Sequence, residues 1–157
     1  MPKKNMGLEY GLTRYHRIGS PTDEERVYGD RPLECALCHS DASVEKLART
    51  IEQWWGKKID RERLKKLYGD DLNESVMRAT SRLGKPHEQA VAIAVLGASG
   101  RKTELGWISR HIAHDYPLVR YFAKHALETL TGGPVPLDPN QPAARLREAV
   151  EEWSAAQ

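Results

Sequence analysis

From residue 44 to residue 153 the apolar residues recur at helical spacing, and no stretch sustains an apolar/polar alternation. That pattern confines the chain to an all-α fold. Val44, Leu47, Ala48, Ile51, Trp54 and Trp55 form one stripe and predict a helix over 42–55, with Asp41 or Ser43 as N-cap and Gly56 as its end. Both tryptophans continue the stripe, so they are expected in the core or lining a cofactor. Asp60 and Gly69 bracket a short helix over 60–68, and Asn73 and Gly84 bracket another over 73–83. Pro86 suits the first turn of the helix at 86–97. Its run Ala90-Val91-Ala92-Ile93-Ala94-Val95-Leu96 is apolar on nearly every side, as befits the buried centre of a bundle. Thr103 is expected to cap a helix over 103–113. Pro117 opens one over 117–131, whose stripe is Val119, Phe122, Ala123, Ala126, Leu127 and Leu130. Four prolines between 134 and 142 lead to a last helix over 142–155.

Residues 1–34 lack this periodicity. Gly7, Gly11, Gly19, Pro21, Gly29 and Pro32 punctuate them, and Tyr10, Tyr15 and Tyr28 give them something to pack with. A loop of this length in a compact domain usually has a function of its own. The implied organisation is a loop segment over 1–41, a helical domain over 42–133, and a Pro-rich linker with a capping helix over 134–157.

At the end of that loop stands Cys35-Ala36-Leu37-Cys38-His39, which uses the only two cysteines of the chain. Two thiols three positions apart, followed at once by an imidazole, have the spacing of a c-type haem attachment. Each thiol can add to one haem vinyl group, and the next residue then lies beneath the iron as an axial ligand. Other readings compete. A redox pair of cysteines prefers a strand-to-helix setting, and no strand pattern precedes Cys35. A structural zinc needs four donors; His111 and His114 are too close to complete the usual pattern, which leaves two distant histidines. A disulfide, or two idle thiols, remain as well.

Composition narrows the partners. A net charge of +2 argues for neither nucleic acid nor an anionic membrane, and no apolar stretch approaches the ~20 residues a membrane helix needs. The basic residues between Lys57 and Lys66 are interrupted by Asp60 and Glu62 and read as a solvated helix face. Haem c is attached outside the cytoplasm, so a periplasmic or otherwise extracytoplasmic location is expected. The basic start at Lys3 and Lys4 has no apolar segment behind it. The expectation is therefore a secretion signal already removed, or a longer chain of which these residues are the C-terminal part.

Two resemblances add to this. Asp115-Tyr116-Pro117-Leu118-Val119-Arg120, continued by Ala123, Ala126, Leu127 and Leu130, resembles the second half of a HEAT repeat. In that family the Asp and Arg tie adjacent turns together and the alanines let helices pack closely. Residues 86–96 look like a weaker preceding unit, so the flanking helices would serve as caps. The residues 35–39, with Met1-Pro2-Lys3-Lys4 and His16-Arg17-Ile18, resemble the C-terminal portions of multihaem c-type cytochromes. This chain has a single attachment motif, which fits a monohaem descendant, a truncated piece, or a subunit completing a larger haem array. The fold implied is an N-terminal haem-wrapping loop followed by a HEAT-like bundle.

The function expected is electron transfer by one covalent haem c, held by Cys35 and Cys38 with His39 proximal, while the repeat region docks a redox partner protein or other haem-bearing chains. No catalytic constellation is evident, so the chain reads as an electron carrier rather than an enzyme. His16 is the first choice for the distal ligand, with Tyr15 able to pack on the ring and Arg17 to pair with a propionate. His87 and Met6 are its alternatives; His111, His114 and His125 belong to the repeat-like helices and Met77 to the core. The alternative functions are a haem sensor or peroxidase with an open distal site, and a HEAT-like scaffold with structural zinc or no cofactor.

Overall fold

The structure is a computed structural model and describes residues 3–14 and 20–155. Its secondary structure is mostly α-helical, with one two-stranded sheet. Two compact units divide the chain, one spanning Met1–Ala92 and the other Ile93–Gln157. Among the described residues no helix is long and apolar enough to cross a membrane.

The first unit begins where a loop was expected, with a hairpin: β1 (Lys3–Met6) pairs antiparallel with β2 (Leu12–Arg14). The Gly7 amide donates to the Gly11 carbonyl at 2.6 Å and closes the turn, while Glu9 and Tyr10 take φ of 55° and 57°. A Cβ at position 7 would stand 2.7 Å from Thr13 Cγ2 and 3.0 Å from the Gly11 carbonyl oxygen, so glycine fits this turn without displacing either. Strands of four and three residues are too short to display an alternation. A short helix, α1 (Glu24–Tyr28), follows; the Asp23 carboxylate caps it by accepting from the Glu25 amide at 3.0 Å.

Three amphipathic helices carry the core of this unit. α2 (Val44–Trp55) is capped by Ser43, whose hydroxyl accepts from the Lys46 amide, and ends at Gly56 in the left-handed conformation. Asp60 caps α3 (Arg61–Tyr68) through the Glu62 and Arg63 amides. α4 (Val76–Leu83) starts later than expected. Ser75, not Asn73, is its N-cap, because Asn73 is held in a local turn by the Asp71 carboxylate. Arg61 joins the first two of these helices: it binds Glu52 on one side and Glu45 on the other. That guanidinium, helped by the Ile59 amide, holds the Glu52 carboxyl down to about 2. Leu64, Tyr68, Val76 and Met77 are fully buried, each such side chain worth roughly 1.5–3 kcal/mol of transfer free energy. Trp54 and Trp55 depart from expectation. They are 70% and 45% exposed, because the stripe meets the core only as far as Ile51 and the last turn of the helix projects beyond it.

α5 (Pro86–Ala98) contributes residues to both units. In the second unit a 3₁₀ turn at Lys102–Glu104 leads into α6 (Leu105–Ser109), which is shorter than expected and carries no Thr103 side-chain cap. Ile108 and Ile112 nevertheless point inward as the pattern requires. α7 runs over Pro117–Thr131, as predicted, and buries all six residues of its stripe. Val135 and Leu137 from the proline-rich segment are buried too, and α8 (Ala143–Ala155) anchors through Leu146. Arg120, the partner of Asp115 in the HEAT pattern, instead donates to the Gln141 carbonyl at 3.0 Å.

Close approach of α5 and α7 depends on Gly97. A Cβ at that position would lie 2.6 Å from Ala126 Cβ and 2.7 Å from its Cα, so backbone would have to move. Alanine is the better helix former by about 1 kcal/mol, but overpacking costs typically ~1–3 kcal/mol. Gly97→Ala is therefore expected to destabilise the protein, read as a lower urea midpoint at unchanged m-value. An equal or higher midpoint contradicts this packing.

Candidate haem-attachment site

The residues 35–39 are built on one tight turn. A 3₁₀ helix spans Glu34–Leu37, and the Cys35 carbonyl accepts from both the Cys38 amide, at 3.3 Å, and the His39 amide, at 3.0 Å. The His39 carbonyl in turn accepts from the Ala42 amide at 2.9 Å. Cys38 lies close enough for its charge to bear on Cys35 and is the C-cap of this 3₁₀ turn. Ala36 is fully buried beneath it. Cys35 is half-buried, whereas Cys38 and His39 are exposed, and both thiols are free. Burial pushes the Cys35 thiol up, outweighing a hydrogen bond from backbone, so this sulfur stays protonated at neutral pH. His39 has no side-chain partner among the described residues.

Both flanks of the turn are tied to the α3–α4 pair. On the C-terminal side the Val44 amide donates to the Glu74 carbonyl and the Glu45 amide to the Leu72 carbonyl, while the Ala42 carbonyl accepts from the Val76 amide. On the N-terminal side the Leu33 amide donates to the Tyr68 hydroxyl at 3.1 Å. The Pro32 carbonyl accepts from Lys4, which also pairs with Asp30. Arg31 donates to the Leu67 and Leu83 carbonyls, at the ends of α3 and α4, and pairs with the buried Glu88. Sequence reasoning missed Arg31, Tyr68 and Lys4. Only Glu88 left a trace, as the third residue after Lys85, whose amide its carboxylate accepts in the manner of a capping box.

The candidate distal ligands separate. His16, with Tyr15 and Arg17, lies outside the described residues. Met6 and His87 line one cavity of about 230 Å³, between Lys4, Asp30, Arg31 and Glu88. Met77 is fully buried in the core. His114 accepts the Tyr116 amide, and His125 packs against Tyr121 with ring centroids 4.3 Å apart. Among the described residues no three His, Cys, Asp or Glu side chains converge as a metal cluster. The donor set of the turn suits haem c: two free thiols three residues apart, and an adjoining imidazole with no partner among the described residues. No family model, curated protein or solved structure matches the chain.

His111 has a different character from the other histidines. Burial, with His114 and Arg110 nearby, lowers its pKa to about 4, against about 6.5 for a free imidazole. Between those values the unfolded chain binds a proton that the native chain excludes. Stability is therefore expected to fall as pH drops from about 6.5 to about 4, with no contribution from this group above that window. Urea midpoints measured across this range should slope for the wild type and flatten for His111→Gln. Equal slopes contradict the burial of a neutral imidazole.

Proposed function

We propose that this protein is a monohaem c-type cytochrome that carries electrons and catalyses no reaction of its own. Cys35 and Cys38 hold one haem c through thioethers, and His39 is the proximal axial ligand. The observation that supports this reading is the 35–39 turn itself, which carries two free thiols three residues apart and, immediately after them, an imidazole with no partner among the described residues.

The attachment chemistry needs little of the protein. Each thiol would add its sulfur to one vinyl carbon and its hydrogen to the other, so nothing is oxidised. Bound haem supplies one-electron iron chemistry, and the protein's task is to fix the axial ligands and the burial that set its potential. His39 is available to an iron because no other side chain among the described residues engages it. The N-terminal segment wraps the cofactor, and His16 serves as distal ligand, within reach across the intervening chain at ~3.3 Å per residue. The HEAT-like helices dock the redox partner protein. Since haem is attached outside the cytoplasm, the mature protein acts in an extracytoplasmic compartment.

Expression with haem-attachment machinery should give an intact denatured mass of the polypeptide plus one haem, and Cys35→Ala/Cys38→Ala should give the bare chain. A wild type at the bare mass overturns the proposal. His16→Ala should leave the iron high-spin and open to carbon monoxide; an unchanged low-spin spectrum moves the distal ligand to His87 or Met6.

A further inference from the structure

The attachment turn is an arch whose two feet stand on the same pair of helices. One foot, residues 42–45, pairs its backbone with residues 72–76 at the start of α4. The other foot has no such ladder and depends on side chains, chiefly Arg31. The Arg31 guanidinium spends one nitrogen on two carbonyls, Leu67 and Leu83, each at 2.8 Å. These are among the last carbonyls of α3 and α4, which have no partner within their own helices and carry the negative end of the helix dipoles. The rest of the group, and the Arg31 backbone amide, grip Glu88 at 3.1–3.3 Å. Glu88 is 4% exposed and is itself set by its bond to the Lys85 amide at the start of α5. A single side chain thus gathers three helix ends at a point four residues before Cys35.

Resting on the haem-attachment reading, we infer that Arg31, oriented by Glu88, is a positioning residue for attachment. It fixes the tilt of the turn so that the half-buried Cys35, and not only the exposed Cys38, can reach the same porphyrin edge. The two thiols are unequal in this respect. Cys38 stands in solvent and can react however the turn is tilted. Cys35 is recessed beside Ala36 and reaches a planar partner only if the N-terminal foot of the arch stays in place. Loss of Arg31 should therefore spare the Cys38 thioether and cost the Cys35 thioether.

Three variants test this in the full chain matured with haem: Arg31→Lys, which keeps the charge but not the fork, Arg31→Gln, and Arg31→Gln combined with Glu88→Gln. The combined variant removes both buried charges together, so neither is left uncompensated. Phe122→Ala, placed in the other unit, serves as a control for general loss of stability. Iodoacetamide is added after denaturation, and peptide mapping assigns any alkylated thiol. At least a tenfold rise over wild type in chains alkylated at Cys35 is expected for the two Gln variants, with partial rescue in Arg31→Lys. Phe122→Ala should stay doubly attached even at an equal or larger loss of thermal midpoint. Hydrogen exchange on the haem-free chains gives an independent reading: the Cys38 and His39 amides should exchange at least tenfold faster in Arg31→Gln, with Leu47 and Ala48 in α2 unchanged. Full double attachment in the Arg31 variants, or Cys35 loss equal to that in Phe122→Ala, overturns this inference and leaves the attachment reading standing. A wild type that takes up no haem overturns the attachment reading, and hydrogen exchange then still decides whether Arg31 holds the turn.

Discussion

Arg31 and Glu88 form an ion pair that is almost wholly withdrawn from water. Such a pair adds little stability over a well-packed apolar substitute, because desolvation offsets most of the Coulomb attraction. What it provides is direction. A guanidinium has five donors in a rigid fork, and here they meet a carboxylate and the terminal carbonyls of two helices. Remove the cation and the buried Glu88 carboxylate keeps only the Lys85 amide, while the terminal carbonyls of two helices lose their side-chain donor at once. The ends of α3 and α4, the start of α5 and the approach to Cys35 are therefore one problem with one solution. Tyr68 strengthens it from beneath, fully buried with its hydroxyl spent on the Leu33 amide.

The second unit is held by different means. Its centre is steric: Gly97 lets Ala126 approach α5 to backbone contact, and the stripe of α7 fills the space on either side. Polar groups sit at the margins, where Arg120 and Glu128 fasten the proline-rich segment by single hydrogen bonds. The first unit thus adds a buried, orienting ion pair to its apolar core, whereas the second is set by the close approach at Gly97, and the residues proposed to carry haem lie in the first.

How much of this a reader can take from the sequence follows from range. α7 is fully legible because everything that defines it is local: Pro117 at its start, a stripe of six, and Gly132 in the left-handed conformation at its end. The turn at 35–39 stands out for the same reason, since its two thiols and imidazole fall within five positions, and its proposed chemistry rests on that spacing. The Trp54–Trp55 pair misleads, because periodicity records which face a residue shares but not how far the core extends along it. The hairpin of β1 and β2 is invisible because strands of four and three residues, KKNM and LTR, carry too few apolar positions to show an alternation. Arg31 and Glu88 lie 57 residues apart, and neither carries a mark of the other. Nothing short of the fold brings them together.

What has to be tested first is the proposed covalent attachment of haem to residues 35–39. Its most direct test is the visible spectrum of the purified protein, matured outside the cytoplasm, extracted with acid acetone and then reduced in alkaline pyridine. Colour should stay with the polypeptide through extraction, and the reduced α band should lie at the shorter wavelength characteristic of two saturated vinyl groups. A colourless polypeptide with both Cys35 and Cys38 open to alkylation contradicts it.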